Sequence, residues 1–284
     1  MANNIIELKN VELQYNKDYC ALFDINLEVK KGDRIAIIGK TGSGKTALLR
    51  LIAGLEKQKS GECYIKGTPI QKINFSRDVS LGYLSTKAVF FERKSVYKNL
   101  MWTLKVHKVD KKEREERIDA ILEEFGIQSL KKERVGALCN SERRLVQIAR
   151  MAMRPLEIIL CDDVLSVDDT VIQEKIKKAL IKLFDSAPKD KVIIMASQDE
   201  KVCKDFVNKI IHIESGSFVD NEKVLIDIEH DEEIKQPKKV KQTKEVKAKD
   251  TISNLENSED IPIQNTKKDN QSATIEAQEG DKNE

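Results

Sequence analysis

An excess of charge of either sign is nearly absent from this 284-residue chain, in which 50 Lys and Arg stand against 48 Asp and Glu for a formal net charge of +2. Such a balance builds no strong field for a polyanion, so charge alone does not point to nucleic acid. No apolar run approaches the roughly 20 residues that cross a bilayer as a helix, so any service to a membrane is expected through a partner. The amino terminus, Met1 to Ile5, has no basic-then-apolar signal pattern, and a cytoplasmic protein is expected. Aromatics are sparse at 5% and charged residues plentiful at 35%, the balance of a long polar surface. The five cysteines, Cys20, Cys63, Cys139, Cys161 and Cys203, are scattered with no C-x-x-C pair. That argues against zinc and against a disulfide framework, and free thiols fit a reducing compartment.

What is present is an alternation of strand and helix patterns. From Ile5 to Val29 apolar and polar residues alternate, as in half-buried antiparallel strands. Lys31, Gly32 and Asp33 make a turn. Arg34 to Gly39 is a nearly continuous apolar run, which predicts a strand buried on both faces. A helix is expected over Thr46 to Leu55, a strand over Gly61 to Gly67 and a short strand over Val79 to Ser85. Helical spacing returns at Ser95 to Val106 and at Lys111 to Gly126, where Gly126 is a C-terminal cap. A third helix over Asn140 to Met153 is expected to be capped by Asn140 or Ser141. Strand runs follow at Glu157 to Asp162 and Lys191 to Ala196, with an amphipathic helix over Ile172 to Phe184 between them. A terminal hairpin is expected at Ile210 to Ile213 and Ser217 to Val219. Residues 229–284 are Lys, Glu, Asn, Gln and Asp with few large apolar side chains. They cannot bury enough surface to offset their ordering entropy, so a disordered polar tail is expected there. Such a tail is either a solvated extension or a docking segment.

The sharpest motif is Gly39, Lys40, Thr41, Gly42, Ser43, Gly44, Lys45 and Thr46, followed by Ala47. It fits G-x-x-x-x-G-K-S/T, between a buried strand and a helix. Glycines let backbone N–H groups converge on phosphate oxygens, and the helix points its positive end at them. Lys45 can reach the β- and γ-phosphates, and the Thr46 hydroxyl can ligate Mg²⁺. A second signal is Ile158 to Cys161, an apolar run ending in Asp162 and Asp163. In a parallel sheet the carboxyl ends of strands carry the site. Asp162 would then steady Mg²⁺, and Asp163 would orient an attacking water.

On order and spacing, Ile5 to Val219 resembles the ATP-binding cassette (ABC) ATPases. Tyr15 falls where the family places an aromatic that stacks on adenine. Leu81 to Thr86 is similar to the strand leading into the Q-loop. Leu138, Cys139, Asn140, Ser141 and Glu142 occupy the place of the LSGGQ signature. Asp162 to Asp169 is similar to the Walker B and D-loop run, and Gln198 stands at the switch-histidine position. Lys94 to Val109 looks most like sugar or polyamine importer subunits, without the extra C-terminal β-domain such subunits often carry. The resemblance implies an α/β P-loop fold with a RecA-like core, an antiparallel β-subdomain and an inserted helical subdomain at about 87–154, all within residues 1–228. It further implies ATP and Mg²⁺ as ligands. The partners would be a second cassette, identical or related, and a transmembrane permease docking near Tyr97, Leu100 and Trp102. The protein would sit at the cytoplasmic face of the membrane.

Four positions depart from the family pattern. Thr86 replaces a Gln and is expected to reach less far. Asp163 replaces a Glu, and a misplacement of about 1 Å can cost ~100-fold in rate. Gln198 is neutral where the family has His. The signature reads LCNSE, with both glycines replaced. A Glu142 carboxylate about 4 Å from a phosphate oxygen would cost about 4 kcal/mol per charge pair at intermediate dielectric, so it is expected to turn toward its own helix N-terminus. Arg143 and Arg144 are read as exposed helix residues. Slow hydrolysis in a transporter subunit is the leading expectation. The alternatives are an ATP-binding regulatory module and a soluble cassette acting on nucleic acid.

Overall fold

The computed structural model describes residues 4–16, 19–75, 77–167, 169–186, 188–219 and 226–227. The tail expected over 229–284 lies outside the described residues, as does Asp168. The alternating segment folds as β1 (Asn4–Asn16) and β2 (Tyr19–Lys30), an antiparallel pair in which Ile6 faces Val29 and Leu8 faces Leu27. β4 (Ser60–Ile65) adds to β1 and β5 (Thr68–Pro69) to β4, completing a four-stranded sheet ordered β2-β1-β4-β5.

The continuous apolar runs become the second sheet. β3 (Arg34–Ile38), β6 (Leu81–Leu84), β7 (Ile158–Asp162), β8 (Val192–Ser197) and β9 (Lys209–Glu214) lie parallel in the order β9-β3-β8-β7-β6. β10 (Ser217–Phe218) and β11 (Ile226–Asp227) pair antiparallel with β9. Strand side chains alternate between faces, and here each face meets a different core. Ile35, Ile37, Ile158 and Leu160 pack with the antiparallel sheet and α1 (Lys45–Ile52). Ala36, Ile38, Ile159 and Cys161 pack with the helices on the other side. At β3, β7 and β8 both faces are covered, which is why these strands read as nearly unbroken apolar runs.

Those helices are α2 (Val96–Val106), α3 (Arg114–Glu124), α4 (Asn140–Ala152) and α5 (Thr170–Ser186). Ser95 caps α2 by accepting from the Lys98 N–H at 3.2 Å. α3 starts later than its periodicity suggests, because Asp110 accepts from the Lys112 N–H at 2.8 Å and holds the preceding residues in a turn. Gly126, at φ 67°, ends it as expected. The α4 cap is not Asn140 or Ser141 but Cys139: the Glu142 carboxylate reaches back three residues and accepts from the Cys139 N–H at 3.0 Å. Glu142 thus turns toward its own helix, as its charge dictates. Arg143 and Arg144 are half-buried rather than exposed. Arg143 pairs with Glu92 and donates to the Val135 carbonyl at 3.2 Å.

Candidate nucleotide-binding site

Register gathers the site. Ile38 pairs with Ser197, and Ala196 with Asp162, so the carboxyl ends of β3, β8 and β7 lie side by side. Gly39, Gln198 and Asp163 each begin the loop that follows its strand. At two positions the β3–α1 loop is packed so closely that a side chain is excluded. A Cβ on Gly39 would lie 2.3 Å from the Ile213 carbonyl oxygen. One on Gly44 would lie 2.8 Å from that of Ala21, and Gly44 has φ 107°. Gly44 is also the N-cap of α1 and supplies no side-chain cap. The first N–H groups of a helix have no intrahelical acceptor, so this helix end is open to an anion.

Lys45 is 7% exposed. Its Nζ donates to the carbonyls of Gly39 at 2.6 Å and Lys40 at 2.7 Å, curling along the inside of the loop. Burial pushes its pKa down, and the nearby carboxylates of Asp163 and Asp162 oppose that shift. Thr46 Oγ1 donates to Asp162 Oδ1 at 3.0 Å. Asp162 Oδ2 accepts from the Tyr83 hydroxyl at 3.1 Å and from Thr86 Oγ1 at 3.0 Å. Burial and the adjacent Asp162 carboxylate raise the Tyr83 pKa, which keeps the phenol a donor. Asp163 has φ 51°, a left-handed conformation that Asp tolerates better than most residues. Its N–H donates to the Ala196 carbonyl at 3.0 Å. Thr41 Oγ1 donates to Gln198 Oε1 at 3.1 Å, tying the β3–α1 loop to the end of β8.

A cleft of about 330 Å³ is lined by Tyr15, Thr41, Gly42, Gly44, Lys45, Thr46, Ala47, Asp162, Asp163 and Gln198, together with Thr86, Tyr19 and Ala21. Gly39, Lys40 and Ser43 line a separate cavity on the other side of the same loop, with His212 and Ile213. Tyr15 is half exposed and its ring stacks on Tyr19, with centroids 6.1 Å apart and planes 10° from parallel. Sequence reasoning missed Tyr19. The two tyrosines are brought together by the β1–β2 pairing, in which Asn16 lies opposite Tyr19. Sequence reasoning also missed Tyr83 and the bond from Thr86 to Asp162. Glu142 does not line this cleft; it lines another cavity with Lys175, Lys178 and Lys182.

The donor set fits Mg²⁺. The Thr46 hydroxyl and the Asp162 carboxylate are hard oxygens. Among the described residues no group of three or more His, Cys, Asp or Glu could hold a metal. A cation at this pair must therefore draw most ligands from water and phosphate, which is the habit of Mg²⁺.

Known proteins share this architecture. The cassette MJ0796, solved as a dimer in a post-hydrolysis state with ADP and Pi, superposes with a TM-score of 0.67 at 25% identity, over 76% of this chain and 97% of that one. CbiO1 of Clostridium perfringens, part of the transporter complex cbiONQ, shares the fold with a TM-score of 0.64 at 23% identity, over 77% and 88%. The methionine import ATP-binding protein MetN of Helicobacter pylori is 29% identical over 78% of this chain and 68% of its own length. The spermidine/putrescine import ATP-binding protein PotA of Clostridium novyi is 26% identical over 77% and 62%. The family model described as ABC transporter matches residues 22–166, more than half of the chain. With the loop, the acidic strand end and the two sheets in their places, the chain belongs to the ABC transporter family of ATP-binding proteins.

Proposed function

We propose that the cleft binds Mg-ATP and hydrolyses it slowly, to power or gate a membrane permease. The observation that carries this is the convergence of Lys45, Thr46, Asp162, Asp163 and Gln198 on one cleft. Lys45 and the open end of α1 would take the β- and γ-phosphates. Tyr15, backed by Tyr19, offers a flat face for the adenine. Thr46 and Asp162 would hold Mg²⁺, which when bound neutralises phosphate oxygens. Asp163 would orient water and Gln198 would hydrogen-bond the γ-phosphate.

Three features favour slow turnover. Asp163 is one methylene short of a glutamate. The Gln198 amide oxygen already accepts from Thr41. Glu142 spends its carboxylate on the N-terminus of α4. In a dimer of cassettes that end of α4 would face the partner's nucleotide, so both halves of each site are altered in a homodimer.

No helix among the described residues is long and apolar enough to cross a membrane, and the permease we propose is a partner docked at the cytoplasmic face. The helices offer it a groove of about 740 Å³, floored by Phe91, Tyr97, Met101 and Trp102 and rimmed by lysines. Trp102 is half exposed there, whereas Leu100 is fully buried and belongs to the core. Of the relatives named, MetN and PotA are import ATP-binding proteins with different cargoes. We extend to this chain import but no cargo.

Steady-state ATP turnover tests the reading. We expect a rate far below the ~10 per second ordinary for enzymes, falling further in Asp163→Asn. Equal rates in the two proteins would favour a regulatory module that closes on ATP without spending it.

A further inference from the structure

At Ser85 and Thr86, just after β6, α4 is bonded to the loop by two side chains that the proposed chemistry does not use. Arg144 Nη1 donates to the Ser85 carbonyl at 2.8 Å, and its Nη2 to the Thr86 carbonyl at 3.0 Å. Gln147 is 1% exposed, and its Nε2 donates to the same Ser85 carbonyl at 3.3 Å. Its Oε1 accepts from Arg144 Nη1 at 3.1 Å, so the two side chains brace each other. Burial pushes the Arg144 pKa down, but the guanidinium remains charged and must find acceptors. It finds two consecutive carbonyls, one on each terminal nitrogen of its planar fork. Thr86, held by its backbone, then donates its hydroxyl to Asp162 Oδ2.

We infer that Arg144 and Gln147 are positioning residues that couple the metal-binding carboxylate to the helix beginning at Cys139. This inference rests on the reading of Asp162 as part of a Mg-ATP site. The path is short and continuous: α4, the guanidinium fork, the Ser85 and Thr86 carbonyls, the Thr86 hydroxyl, Asp162. Rotating α4 against the sheet pulls Thr86 and with it one carboxylate oxygen. By reciprocity, a cation that fixes Asp162 biases the orientation of α4. The path runs through Thr86 as a hydrogen-bond donor to the carboxylate.

The test is calorimetric ATP binding to the full chain as a function of Mg²⁺ concentration, with EDTA as the metal-free reference. The variants are Thr86→Val, Arg144→Lys and the pair combined. Thr86→Val removes a hydrogen bond to a charged group, so the Mg²⁺ needed for half-maximal enhancement should rise on the order of tenfold. Arg144→Lys keeps the charge and loses the fork, and should raise it several-fold. The double variant should add little to Thr86→Val alone, because both act on one path. ATP affinity in EDTA should stay unchanged in Arg144→Lys, whose side chain does not line the cleft. Arg150→Lys is the control: Arg150 makes a comparable bond from α4 to the Val89 carbonyl, away from Asp162, and should not move the Mg²⁺ requirement. An unmoved requirement in Arg144→Lys, equal loss with and without metal, or full additivity would overturn the inference while ATP binding itself stands. If Arg144→Lys fails to fold, an unmoved requirement in Thr86→Val overturns it instead. Absence of ATP binding by the unaltered chain would overturn the underlying reading, and the inference with it.

Discussion

Two helix N-termini in this molecule were built by the same family plan and end up with opposite properties. α1 follows a glycine-rich loop, starts at a left-handed Gly44 and carries no side-chain cap. α4 follows Leu138 and Cys139, where Asn140 and Ser141 stand at the glycine positions of the family signature. Its N-terminus is closed by the carboxylate of Glu142. An anion is attracted to unsatisfied N–H groups and repelled by a charge already there. The difference teaches that a helix end stays open to an anion when its own sequence leaves it uncapped.

Replacing Gly44 by Ala should break the comparison most severely. The Cβ would sit 2.8 Å from the Ala21 carbonyl at a backbone angle L-residues rarely adopt. Strain of about 1–3 kcal/mol is expected, with loss of ATP affinity on the order of tenfold or more. Thermal unfolding and calorimetry on the same sample would measure both. A variant as stable and as tight-binding as the parent would mean that the loop is not held as described.

Glu142→Gln is the gentler counterpart. The amide oxygen can still accept from Cys139, but the charge is gone. The expected loss is about 0.3–1 kcal/mol, read as a melting temperature lower by roughly 1–3 °C. ATP affinity at the α1 site of an isolated chain should not change. A large change in that affinity would place Glu142 within reach of its own chain's cleft.

The fold was legible where burial is two-sided. β3, β7 and β8 stand out as unbroken apolar runs because each faces two cores, and the phosphate loop sits where the first of them ends. The split between the cores could be read only once the pleat was known to alternate Ile37 against Ile38. Long-range side-chain pairs were not legible. Arg144 binds carbonyls 58 and 59 residues earlier, so its polar position on α4 looked like a solvated one. Tyr83 sits in an apolar strand pattern and shows its hydroxyl's role only when β6 pairs with β7 and brings Asp162 alongside. The α4 cap was misplaced by one or two residues because three successive polar side chains, Asn140, Ser141 and Glu142, could each close the helix, and charge decided for Glu142.

The account rests most on the Lys45 ammonium and the open end of α1 acting together on a triphosphate. Isothermal calorimetry of ATP with the full chain in Mg²⁺, beside the Lys45→Ala variant, tests this directly. Losing charge-assisted bonds to phosphate should weaken binding on the order of 100-fold. No heat of binding with the unaltered chain, or equal affinity in Lys45→Ala, would contradict it.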